Sequence, residues 1–177
     1  RCETVTGVQT CALPISLPGF DAWQAASVTR QRQDGYAVVE IAPPLGLLAS
    51  EQLLNLADIT ARYGERQLRA TNWQGVLLRG VPVAQLPALH AELSRLGLGG
   101  ADPALLRRMI TCAGASTCRL GICLARGLAE AITARLRHSE LLPGSAALRL
   151  HISGCPNACG RHPVAHIGLH GAARRVG

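Results

Sequence analysis

Apolar positions change their spacing several times along this chain, and each change marks an element. The run GYAVVEIAPP, residues 35–44, is rich in β-branched side chains and is closed by Pro43 and Pro44, so it reads as a strand. In ASEQLLNLADITARYG, Leu53, Leu56, Ile59 and Tyr63 recur at helical spacing, with Ser50 as the expected N-cap and Gly64 as the stop. RQLRATNWQGVLLRGVP then reads as two short strand segments, Gln67 to Thr71 and Gly75 to Val81, or as one bent strand. VAQLPALHAELSRLGLGG supplies a second helix, apolar at Leu86, Leu89, Leu93 and Leu96. Strand, helix, strand and helix of this size predict a ferredoxin-like α/β sandwich over residues 17–98, a term that here names an arrangement of elements and not a cluster.

The stretch Gly99-Gly100-Ala101-Asp102-Pro103 is the expected linker to a second unit, residues 99–177. There DPALLRRMITCAGASTC reads as a short helix, a short strand and a loop of small residues ending at Cys118. RLGICLARGLAEAITARLR places Leu120, Leu124, Leu128, Ile132 and Leu136 four apart, which predicts one long amphipathic helix. Cys118 would stand at its positive end, where a thiolate is favoured, and Cys123 on its apolar side as a buried core thiol. Pro143 and Gly144 close the helix region, ALRLHIS is a strand entering a turn at Cys155, and VAHIGLHG is a strand leaving it. The fold class expected is therefore α/β (α+β).

Composition sharpens this picture. A hydrophobic fraction of 48% against 16% charged residues belongs to an ordered chain, and 177 residues suffice for a real core. Neither a membrane-spanning apolar stretch nor a signal peptide stands in the sequence, so a soluble, cytoplasmic protein is expected. All 18 basic residues are arginine, and they set the net charge of +7. Such a surplus suits an acidic cofactor, an anionic substrate or an acidic partner protein, or reflects coding bias. No basic run interleaved with aromatics is present, which argues against nucleic acid.

The opening VTGVQTCALPI, residues 5–15, resembles the translation of a common sequencing adapter, and residues 1–16 are read as foreign to the natural protein. Setting them aside leaves Cys112, Cys118, Cys123, Cys155 and Cys159. An odd number of cysteines without a secretion signal points to metal or catalytic use rather than to disulfides. Two pairs stand out, Cys112 with Cys118 and Cys155 with Cys159, each beginning where an expected strand ends. Four thiolates on two turns suit zinc or an iron-sulfur cluster. The five-residue interval in CAGASTC fits structural zinc less well, because zinc pairs are usually two to four apart.

CAGASTC followed by RLGICLARGLAEAI, and then HISGCPNACGRHPVAHIGLHG, closely resemble the cluster-binding half of the sirohaem-dependent nitrite and sulfite reductases. That resemblance implies that Cys112, Cys118, Cys155 and Cys159 bind one 4Fe-4S cluster and that Cys159 is also the axial ligand of the sirohaem iron. It places Asn157 beside the cofactor pair, although a turn residue in a left-handed conformation is an equal reading. It further implies a six-electron reduction of nitrite or sulfite, with a ferredoxin or a flavoprotein as donor. His151, His162, His166 and His170 lack regular ligand spacing and are assigned structural or surface roles.

LRATNWQGVLLRGV resembles a strand that in the family's first half contacts sirohaem: Arg69, Thr71, Gln74 and Arg79 match its polar positions, and Trp73 replaces a typical Arg. Its place directly before the cysteines makes it the second repeat's copy, so a solvated strand face is the competing reading. The lysine pair by which the family holds its substrate has no counterpart, because the chain contains no lysine. A partial reductase, inactive by itself, is the expectation. Within the same superfamily a precorrin-3B synthase-like enzyme is the runner-up, and a zinc or electron-transfer module is the non-enzymatic alternative.

Overall fold

Two sheets of different kinds organise the chain in this computed structural model, which describes residues 18–137, 139, 142 and 145–174. The adapter-like segment at 1–16 and the Pro143–Gly144 stop lie outside the described residues. The first unit runs α1 (Phe20–Ser27), β1 (Val28–Arg30), β2 (Tyr36–Ile41), α2 (Ser50–Tyr63), β3 (Leu68–Ala70), β4 (Val76–Pro82) and α3 (Leu86–Arg95). Its strands form an antiparallel sheet in the order β1-β2-β4-β3. α1 and β1, which precede the first apolar run at Gly35, are part of this unit. β1 occupies an edge beside β2, the place a strand after α3 would fill in an uninterrupted ferredoxin-like sheet.

Alternation on β2 buries Ala37, Val39 and Ile41 against the helices, as a strand with one covered face requires. Leu56 and Ile59 of α2 and Leu86, Leu89 and Leu93 of α3 complete this core with Trp23, Leu78 and Val81. Each such side chain contributes roughly 1.5–3 kcal/mol by leaving water. Two expectations for α2 fail. Leu53 is exposed and Thr60 is buried in its place. Ser50 is the first helical residue and caps nothing; the amide of Ala49 instead donates to Gln52 Oε1 at 2.9 Å.

The second unit contains α4 (Ala104–Arg107), β5 (Ile110–Thr111), α5 (Ala125–Leu136), β6 (Leu150–Ser153) and β7 (Ile167–His170). The three strands are parallel, in the order β5-β6-β7, and α5 is the crossover from β5 to β6. Leu105, Met109, Ala125, Ala129, Leu150 and Ile152 pack between sheet and helix, with Ile132 and Leu136 at the margin. The long helix is therefore shorter than its leucine spacing predicts: it begins at Ala125, and Leu120, Leu124 and Leu128 are exposed. Asp102 of the expected linker accepts from Arg137 of the α5 C-cap at 2.9 Å, which ties the connection down.

Candidate functional site

Both cysteine pairs leave the carboxyl ends of neighbouring parallel strands, the end at which α/β sheets present their sites. Cys112 follows β5 directly, and its amide donates to the Ile152 carbonyl of β6 at 3.2 Å. Cys155 lies two residues past β6 and is buried. Between them stands Gly154, whose amide donates to Cys112 Sγ at 3.1 Å while its carbonyl accepts from Ile122 and Cys123, each at 2.9 Å. A Cβ on Gly154 would meet Gly114 Cα at 2.7 Å and the Cys123 carbonyl at 2.9 Å, so this close approach requires glycine.

Cys118 is not at a helix start. It sits in a turn where its amide donates to the Gly114 carbonyl and its carbonyl accepts from Gly121, both at 3.0 Å. Gly121 is packed so closely on Ala115 that the chain from 119 to 124 folds back on its own loop instead of winding into α5. Cys123 is accordingly an exposed loop residue and not a core thiol of the helix. Cys159 is exposed as well, its Sγ 4.0 Å from the Asn157 carbonyl. Asn157 is exposed and does not supply the turn's left-handed residue; Ala158, at φ 60°, and Arg161, at φ 57°, do.

All five described cysteines are free thiols, so the donor chemistry of the two pairs suits a soft metal centre. The Gly154 amide aimed at Cys112 is the kind of donor that stabilises a thiolate. Among the described residues, no three cysteine, histidine or carboxylate side chains stand close enough to enclose a metal ion. The two turns are thus held side by side by backbone bonds, with their thiols not drawn into one chelate.

The histidines serve the frame around these turns. His151 on β6 is enclosed; its Nδ1–H donates to the Arg161 carbonyl at 2.9 Å, and its Nε2 has no partner among the described residues. His162 Nδ1 shares a hydrogen bond with Ser153 Oγ at 2.9 Å and its ring stacks on His170 with centroids 4.7 Å apart. His166 Nδ1 accepts from the Arg149 amide at 3.1 Å.

From the first unit, the β3–β4 hairpin tip reaches this sheet. Thr71 Oγ1 accepts from the amides of Trp73 and Gly75, at 3.2 and 3.1 Å, and shapes the turn. Trp73 presents its ring to the guanidiniums of Arg149 and Arg161, each 5.9 Å from the ring centroid, and lies 6.4 Å from the His151 ring. Arg161 also donates to the Asn72 carbonyl at 2.9 Å, and Gln74 bonds to Thr111. Arg69 is exposed, and Arg79 stands 4.0 Å from Glu65 on the far side of the hairpin's base. Sequence spacing alone did not reveal the Trp73–Arg149–Arg161 group or the Gly154 junction, since their members are distant along the chain. No described helix is long and apolar enough to cross a membrane.

Residues 29–96 match the family model described as the nitrite/sulfite reductase ferredoxin-like half domain. Over 176 residues the chain is 37% identical to the ferredoxin–nitrite reductase of Synechococcus elongatus, covering 98% of this chain and 34% of that protein. It is 30% identical over 145 residues to a sulfite reductase [ferredoxin] of Mycobacterium tuberculosis, covering 78% of this chain and 26% of the relative. The solved structure of the Mycobacterium tuberculosis NirA protein superposes with a TM-score of 0.73 at 31% identity, over 86% of this chain and 28% of that one. The chain thus spans about a third or less of the length of these relatives. The half-domain match and these likenesses support this chain as a fragment of the nitrite/sulfite reductase family.

Proposed function

We propose that this chain is the iron-sulfur portion of a sirohaem-dependent oxidoreductase that reduces nitrite or sulfite, with Cys112, Cys118, Cys155 and Cys159 holding a 4Fe-4S cluster. The observation that carries the reading is the Gly154 junction: its amide donates to Cys112 while its carbonyl binds Ile122 and Cys123, so the two cysteine turns are fixed to each other. The four cysteines would hold the cluster, and Cys159 would also face a sirohaem; when bound, these groups would supply one-electron chemistry for the reduction. The protein's part is ligation and charge control. Gly154 N–H offsets negative charge on Cys112, and buried Cys155 anchors its turn against β6. Cys159 and Asn157 lie on the exposed side, where a second group has access.

The all-arginine surplus suits an anionic substrate and an acidic one-electron donor such as ferredoxin, the donor that the relatives' names carry. Free thiols suit a reducing, cytoplasmic setting. Anaerobic reconstitution with iron and sulfide tests the reading. A brown chain with about four irons, lost in Cys159→Ser, is expected. A colourless chain holding one zinc would sink it.

A further inference from the structure

β5 has only two residues, and among the described residues β6 is its only strand neighbour. One edge of this short strand is therefore left without a ladder, at the residue directly before Cys112. The side chain of Gln74 fills that place. Its Nε2 donates to the Thr111 carbonyl at 2.8 Å, and its Oε1 accepts from the Thr111 amide at 3.1 Å. A carboxamide carries the same donor and acceptor as a peptide group, so Gln74 supplies by side chain what an adjacent strand supplies by backbone. Thr111 is enclosed, and without this partner both its backbone polar groups would be buried and unpaired.

The carboxamide is itself aimed. Gln74 has a left-handed backbone at φ 61°, inside the turn shaped by Thr71, and Gly46 lies against it; a Cβ on Gly46 would stand 2.7 Å from Gln74 Cβ. On the other side of β5, the Cys112 amide bonds β6 and Cys112 Sγ accepts from Gly154. A continuous set of contacts thus runs from Gly46 through Gln74 and Thr111 to Cys112.

We propose that Gln74 is a positioning residue for the cysteine site: through Thr111 it fixes the backbone that presents Cys112 to the cluster. The inference rests on the cluster reading given above and extends it to a residue of the ferredoxin-like half domain. Gln74→Glu keeps the shape and the acceptor but loses the donor, and Gln74→Ala loses both bonds. Arg79→Ala, on the same hairpin and far from Thr111, is the control.

In the metal-free 177-residue chain, alkylation of Cys112 by iodoacetamide should be about tenfold faster in Gln74→Ala, with Cys159 unchanged, as expected for the loss of two buried hydrogen bonds. After reconstitution, release of iron to a chelator should accelerate by a similar factor, and the cluster's reduction potential should shift in Gln74→Glu, while Arg79→Ala behaves as wild type. Gln74→Glu, being isosteric, carries the test if the alanine variant fails to fold. A wild-type chain that takes up no cluster overturns the functional reading and this inference with it. If the wild type loads and the Gln74 variants match it in Cys112 reactivity, iron release and potential, the inference alone is overturned.

Discussion

Arg107 on α4 reaches across the junction of the two units to Glu40 on β2, with Nη2 and Oε2 3.3 Å apart, and its guanidinium also donates to the Ala26 carbonyl. Only a tenth of the Arg107 side chain is exposed, and burial pushes its pKa below the ordinary arginine value. A charge this enclosed is costly to leave unpaired. Glu40→Ala should destabilise the chain by about 2–3 kcal/mol, the Ala26 carbonyl retaining part of the compensation. The double variant Glu40→Leu with Arg107→Leu should recover most of that loss, as read by urea denaturation. Additive losses would show that the pair is not coupled.

Arg62, Tyr63 and Glu92 tie α2 to α3. Arg62 donates to both Glu92 oxygens, at 2.6 and 2.5 Å, and the Tyr63 hydroxyl donates to Oε1 at 2.7 Å. The hydrogen bond from Arg62 holds the Glu92 carboxyl below its ordinary value of 4.5. A folded pKa lower than the unfolded one contributes stability at pH above 4.5, which fades as pH falls through the folded value. Since Arg62 is half exposed, the Glu92→Gln variant should lose only about 1 kcal/mol at pH 7. As the pH is lowered below 4.5 and through the folded value, the difference between the two proteins should shrink. A difference that does not change on acidification would exclude the carboxylate as its source.

Much of the first unit was legible because its elements obey a single period. Ala37, Val39 and Ile41 alternate, and Leu86, Leu89 and Leu93 follow helical spacing, and all six are buried. The series Leu120, Leu124, Leu128, Ile132 and Leu136 misled for a geometric reason: residues four apart drift by about 40° per step around a helix, so the five do not share one face. Ala125 and Ala129, small and unremarkable in sequence, face the core instead. The cysteine pairs were visible as spacing. What joins them was not, because Gly154 and Gln74 act through contacts with residues far along the chain.

Gly154→Ala tests that junction. Its Cβ would stand 2.7 Å from Gly114 Cα and 2.9 Å from the Cys123 carbonyl, both backbone atoms that cannot swing aside. The variant should lose about 2 kcal/mol in thermal or denaturant unfolding. It should also load markedly less iron under the conditions that load the wild type, because the two cysteine turns are pushed apart. A variant of reduced stability with undiminished iron content would leave the junction a purely structural one.

Trp73 has the guanidiniums of both Arg149 and Arg161 5.9 Å from its ring centroid, and no carboxylate forms an ion pair with either arginine among the described residues. The indole face is thus what accommodates two cations here, each contact being worth about 0.5–1 kcal/mol. Trp73→Arg would remove both contacts and place a third guanidinium near the first two. The expected loss is about 2 kcal/mol at low salt, from the sum of the lost contacts and added repulsion. Trp73→Leu should lose less, since it removes the ring without adding charge. Raising the salt from about 0.05 to 0.5 M should restore part of the loss in Trp73→Arg and leave Trp73→Leu nearly unchanged. If salt moved both variants equally, packing against His151, rather than the charge of the two arginines, would account for the role of Trp73.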